Sequence, residues 1–148
     1  MAMAREILTK SAKQTQKLGE GLAYRLKGGE IIGLIGELGS GKTTFVQGLA
    51  KGLGIKKRVL SPTFIFVRPY NLFPIPYTLF HIDLYRIKTS EDAKDLGLEE
   101  IWLDPKNIVV IEWAEKIKDI LPEKTIKIYF EYLGEKKRRV KISNDFIH

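Results

Sequence analysis

There is no cysteine among the 148 residues. That excludes disulfide frameworks and thiolate–metal sites. No apolar run approaches the ~20 residues of a membrane-crossing helix. The opening Met1-Ala2-Met3-Ala4-Arg5-Glu6 lacks the apolar stretch of a secretory signal. Internal repeats are missing, and so is any linker that would split the chain. The guanine-reading pattern Asn-Lys-x-Asp and the switch pattern Asp-x-x-Gly do not occur either, which argues against a GTPase. These absences lead us to expect one domain over residues 1–148, a cytoplasmic setting and no membrane partner. Negative charge is in short supply: 25 Lys and Arg face 18 Asp and Glu, a formal net charge of +7. Such a balance suits an anionic partner. A solvated Lys/Glu-rich surface, of the kind high growth temperature favours, is the equal alternative.

What the chain does contain is a complete phosphate-binding loop. Gly36-Glu37-Leu38-Gly39-Ser40-Gly41-Lys42-Thr43 reads G-x-x-x-x-G-K-T. Glycines let consecutive backbone N–H groups curl around a phosphate, the lysine adds a point charge near the β- and γ-oxygens, and the threonine offers a hydroxyl to Mg²⁺. An apolar run, residues 30–35, enters the loop as a strand. Residues 44–53 leave it as a helix with Phe45, Val46, Leu49, Ala50 and Leu53 on one face, and Gly54 stands at a helix C-terminal position. A nucleoside triphosphate with Mg²⁺ is therefore the expected ligand. Glu37, Leu38, Gly39, Ser40, Gly41, Lys42, Thr43 and Thr44 are the expected contacts, and Thr43 also binds metal.

The flanking pattern is that of an α/β chain. Ser11 caps a first helix, Gln14 reaches back, and Leu18, Leu22 and Leu26 follow at helical spacing. Residues 63–68 and 77–86 read as strands around a proline-rich tip, a β-hairpin inserted after the loop helix. In the second strand Leu79, His81, Asp83 and Tyr85 share one face. A short helix opens at Ser90. Residues 107–111 form an apolar run like a buried parallel strand, ending in Glu112-Trp113. A short helix over 114–121 stops at Pro122, and residues 125–132 and 136–142 make a C-terminal hairpin. The expected fold is a phosphate-loop NTPase-like three-layer sandwich with a mostly parallel central sheet, an inserted β-hairpin and a C-terminal antiparallel hairpin.

A phosphate loop needs a second metal anchor, an acidic residue at the C-terminal end of a neighbouring apolar strand. Glu112 ends the most apolar strand and is expected to hold Mg²⁺ through water. Asp83 ends a less apolar one. It is expected near the γ-phosphate, orienting water or joining the metal shell. The competing reading pairs Asp83 with Arg86 or His81, and Glu112 with a cation, for structure alone. Thr63, presented by Ser61-Pro62, stands where many nucleotide hydrolases sense the γ-phosphate. With Lys42, these residues make the expected catalytic set: Lys42, Thr63, Asp83 and Glu112. His81 reads more readily as a hydrogen-bonded packing residue than as an acid or base, and Trp113 as buried packing. Arg138 lies on the apolar face of its strand. It reads either as reaching for a carboxylate or the nucleotide, or as the charge that keeps an edge strand unsticky.

In combination, Gly36 to Phe45, Ser61-Pro62-Thr63-Phe64, His81-Ile82-Asp83-Leu84-Tyr85-Arg86 and Glu112-Trp113 resemble the TsaE family, small bacterial ATPases of tRNA threonylcarbamoyladenosine modification. The likeness runs from about Ser11 to the C-terminal hairpin. The resemblance implies ATP binding, slow hydrolysis by the protein alone, and association with a TsaB–TsaD pair. That pair transfers a threonylcarbamoyl group to the adenosine beside the anticodon. The ATP cycle resets the complex, and tRNA is met indirectly or transiently. It also implies that Lys42 and Thr43 hold phosphate and Mg²⁺, that Glu112 is a metal residue, that Asp83 belongs to the catalytic set, and that the helix near Ser11 and Thr15 encloses the adenine side. No role carries over to the hairpin tip, residues 72–76. The rival readings are a small-molecule kinase, which needs an arginine-bearing lid and an acceptor pocket, and a nucleotide-dependent assembly switch.

Overall fold

A computed structural model describes residues 5–57, 59 and 66–143. In chain order it contains strand β1 (Arg5–Thr9), helix α1 (Ala12–Ala23), strand β2 (Ile31–Gly36), helix α2 (Lys42–Gly52), strands β3 (Val67–Asn71) and β4 (Thr78–Asp83), helices α3 (Ser90–Asp95) and α4 (Leu98–Leu103), strand β5 (Asn107–Glu112), a 3₁₀ turn (Ala114–Ile117), and strands β6 (Ile126–Tyr132) and β7 (Arg138–Ile142). The strands form one sheet in the order β1-β7-β6-β2-β5-β4-β3. The four inner strands β6, β2, β5 and β4 run parallel, while β1, β7 and β3 are antiparallel to their neighbours.

Alternation along the strands makes two cores. Ile32 and Leu34 of β2, Ile108 and Val110 of β5 and Leu79 of β4 pack with Phe45, Val46 and Leu49 of α2 and Leu22 of α1. On the other face Ile31, Val109, Ile111 and Ile82 pack with Ala93 of α3, Leu98 and Trp102 of α4, and Ile117. Burying each large apolar side chain contributes about 1.5–3 kcal/mol, so both faces of the inner strands must be covered. This is the expected three-layer arrangement. The helices α1 and α2 approach so closely that a Cβ on Gly48 would stand 1.9 Å from the Gln16 carbonyl oxygen. Only glycine fits there.

Local sequence explains most boundaries. Ser11 caps α1 by accepting from the Gln14 N–H at 3.1 Å. Gln14 does reach back, to the Lys10 N–H at 2.7 Å. Three features differ from the sequence expectation. β1 is an additional edge strand, paired with β7. Five short, mostly exposed residues carry no periodic signal, so only the partner strand reveals it. The hairpin of β3 and β4 is no appendage: β4 pairs in parallel with β5 and belongs to the inner sheet. Its first strand lies at Val67–Asn71, so Pro69 sits inside it; β3 is the sheet's edge, where a missing N–H can be tolerated. The helix expected over 114–121 is a 3₁₀ turn followed by i→i+3 and i→i+4 turns at Ile120 and Leu121. Its side chains are drawn sideways, with Glu115 bonded to the Gly36 N–H and Lys116 to the Tyr85 and Ile87 carbonyls.

Candidate functional site

The parallel strands deliver three C-terminal ends to one place. β2 ends at Gly36 and runs into the loop. β5 ends at Glu112, which stands in register with Leu34 on one side and with Asp83, the end of β4, on the other. Open α/β sheets bind ligands at this edge. α2 starts directly above it, and its N-terminus adds unpaired N–H groups and the positive end of the helix dipole. Gly41 precedes the helix with φ 103°, a left-handed conformation that favours glycine.

The expected residues converge on a cleft of about 400 Å³ whose walls include Leu38, Gly39, Gly41, Lys42, Thr43, Thr44, Asp83 and Glu112. Ser11 lines a neighbouring cleft, also of about 400 Å³, which shares Gly41, Thr44 and Arg138 with the first. Thr15 lines the same cleft, beside the loop. Glu37 is exposed and contributes its carbonyl, which accepts from the Ser40 N–H at 3.1 Å. Ser40 is buried; its Oγ lies beneath the loop, 2.8 Å from where a Cβ on Gly36 would stand. Ser61, Pro62, Thr63 and Phe64 fall outside the described residues, so the γ-phosphate role expected of Thr63 is not addressed by this geometry.

Within the cleft the polar groups are bonded to one another. Thr43 Oγ1 donates to Glu112 Oε1 at 2.9 Å. His81 Nε2 lies 2.5 Å from Glu112 Oε2. The histidine is fully buried and Glu112 is 3% exposed. Asp83 is buried and accepts the Tyr85 N–H at 2.9 Å. The Thr43 hydroxyl beside the Glu112 carboxylate, at the start of α2, is a hard oxygen pair. It fits Mg²⁺, which takes one or two protein oxygens and fills its remaining positions with phosphate and water. Among the described residues no group of three or more His, Asp or Glu is arranged to hold a metal by itself.

Lys42 is 4% exposed. Its ammonium donates to the Gly36 carbonyl and lies 3.4 Å from the centroid of the Trp113 ring, a cation–π contact. Burial pushes its pKa below the usual lysine value, while the carboxylates of Glu115, Glu112 and Asp83 oppose that shift. Trp113 has φ 63°, the one non-glycine positive φ among the described residues. Its ring also meets Tyr85, with centroids 5.4 Å apart. Arg138 comes from β7 to the loop: Nη2 donates to the Gly39 carbonyl at 3.1 Å and Nη1 to the Gly134 carbonyl at 2.7 Å. It reaches the loop backbone, and not a carboxylate, through these bonds.

One participant and one pairing escaped sequence reasoning. Glu115 braces the loop through the Gly36 N–H at 3.2 Å and is the foremost carboxylate acting on Lys42. Its spacing from Glu112, one turn onward, was the available signal. The contact between His81 and Glu112 spans 31 residues of sequence, so only the β4–β5 register exposes it.

Comparison with known proteins gives a consistent result. The family profile described as "Threonylcarbamoyl adenosine biosynthesis protein TsaE" matches residues 9–140. A Bacillus subtilis relative named tRNA threonylcarbamoyladenosine biosynthesis protein TsaE is 36% identical, covering 89% of this chain and 80% of its own length. A relative of the same name from Aquifex aeolicus is 40% identical over 96% of this chain and 98% of its own. The crystal structure of Bacillus subtilis YdiB superposes with a TM-score of 0.80 at 29% identity, covering 97% of this chain and 87% of that one.

Proposed function

The chain belongs to the TsaE family, and we propose that within it the protein binds ATP with Mg²⁺, hydrolyses it slowly alone, and supports the turnover of a TsaB–TsaD complex in tRNA threonylcarbamoyladenosine modification. The observation that carries the ATPase reading is the meeting of the loop's Lys42 and Thr43 with Glu112 and Asp83 at one sheet edge. In this reading the loop N–H groups and Lys42 bind the β- and γ-phosphates. Thr43 and Glu112 would hold Mg²⁺, Glu112 through water, and the ion would supply positive charge against the charge that develops on the phosphates. Asp83, in register with Glu112, orients the attacking water. The cleft lined by Ser11 takes the adenine side. The basic surface meets tRNA indirectly or transiently, and the protein works in the cytoplasm.

Phosphate release, measured for the wild type and for Lys42→Ala with and without TsaB–TsaD, tests this reading. The expected result is slow release by the wild type, stimulated by the partner pair and lost in the variant. Equal rates for the two proteins would remove the enzymatic reading.

A further inference from the structure

We propose that His81 is a positioning residue that fixes the orientation of the metal-binding carboxylate. The proposal rests on the magnesium role assigned to Glu112 above. β4 and β5 run parallel with Asp83 opposite Glu112 and His81 opposite Val110, so His81 stands one step behind Asp83 on the same face, diagonal to Glu112. Its Nε2 reaches Oε2 of Glu112 at 2.5 Å, while the Thr43 hydroxyl holds Oε1 at 2.9 Å. The carboxylate is thus clamped at both oxygens. The two clamps differ in kind. Thr43 is itself an expected metal ligand and must turn its lone pair to the ion. His81 lies fully buried beneath, and does not line the cleft's wall.

The ring chemistry agrees with this role. A carboxylate accepts hydrogen bonds, so Nε2 must carry the hydrogen. Nδ1 has no hydrogen-bond partner among the described residues, so the bond from Nε2 is the ring's one polar tie. When Thr43 turns to the metal, His81 keeps Oε2 anchored and leaves Oε1 facing the cleft. Groups that orient a metal ligand from behind commonly change metal affinity about 10–100-fold.

The test is calorimetric titration of ADP with and without Mg²⁺, reading the factor by which Mg²⁺ tightens binding. In His81→Leu that factor should fall about tenfold or more, with Mg²⁺-free affinity retained. His81→Gln, which restores an N–H donor, should recover most of it. Glu112→Gln should also lose the factor, and adding His81→Leu to it should change little further. A wild-type factor in His81→Leu, with loss in Glu112→Gln, overturns the role of His81 and leaves the metal reading standing. An equal loss of ADP affinity with and without Mg²⁺ overturns it likewise. An undiminished factor in Glu112→Gln overturns the metal reading, and the His81 proposal with it. Should His81→Leu fail to fold, ¹⁵N NMR of the wild-type ring decides, since His148 is the one other histidine. A protonated Nε2 supports the proposal and a bare Nε2 overturns it.

Discussion

The two faces of the central sheet are built from the same strands and perform different work. The face under α3 and α4 carries Ile82 on β4 and Val109 and Ile111 on β5, apolar towards the C-terminal ends. The face under α1 and α2 begins as apolar, with Leu79, Ile108 and Val110. Towards the C-terminal ends it turns to His81, Asp83 and Glu112, each buried. One face stays apolar up to the C-terminal ends of β4 and β5. The other gives up part of its apolar burial to hold charge, and it does so only beneath the phosphate loop. Buried charge is costly unless it is paired, and here Thr43 and His81 bond Glu112 at both oxygens. The difference separates residues that keep the sheet folded from residues that give it a task.

Substitutions on each face should break this division in opposite ways. The largest expected effect is on the apolar face. Ile111→Ala, at a fully buried position, should cost about 2–5 kcal/mol of stability by urea denaturation, while the folded fraction keeps its ADP affinity. A large change in affinity would mean the faces are not separable. On the polar face, Lys42→Ala should slow phosphate release about a hundredfold or more, about 2.7 kcal/mol in barrier, with a far smaller change in urea midpoint. Glu112→Ala and Asp83→Ala sharpen the comparison within that face. The first should lower the Mg²⁺ enhancement of nucleotide binding roughly tenfold and the second should chiefly slow turnover. Titrations with and without Mg²⁺, alongside phosphate release, decide; the reverse ordering would exchange the two carboxylates' roles. The smallest effect belongs to Trp113→Leu. Its ring lies 3.4 Å from the Lys42 ammonium, a cation–π contact of about 0.5–2 kcal/mol that competes with phosphate for the lysine. ADP should bind more tightly, and weaker binding would show that the ring serves the ligand instead.

Much of this division was legible in the residue order. The loop motif marks its own strand and helix. β5 announces itself as an apolar run broken by a charge, which points to Glu112 before any geometry is known. Asp83 follows from strand alternation. What was not legible depends on register between distant segments. His81 reads as packing until β4 is laid beside β5, and the hairpin reads as an insertion until β4 is seen inside the sheet. Arg138 reads as a misplaced charge until β7, three strands from β5, brings it to the Gly39 carbonyl. Glu115 is masked because a helix was expected where a 3₁₀ turn points it back at Gly36.

The claim on which the rest depends is that the polar face is a magnesium–nucleotide site. Calorimetric titration of ADP into the wild-type protein, with and without Mg²⁺ and repeated on Lys42→Ala, tests it most directly. The account predicts saturable binding at one site, tightened by Mg²⁺ and lost or severely weakened in the variant. No saturable binding to the wild type, or an unchanged affinity in Lys42→Ala, would contradict it.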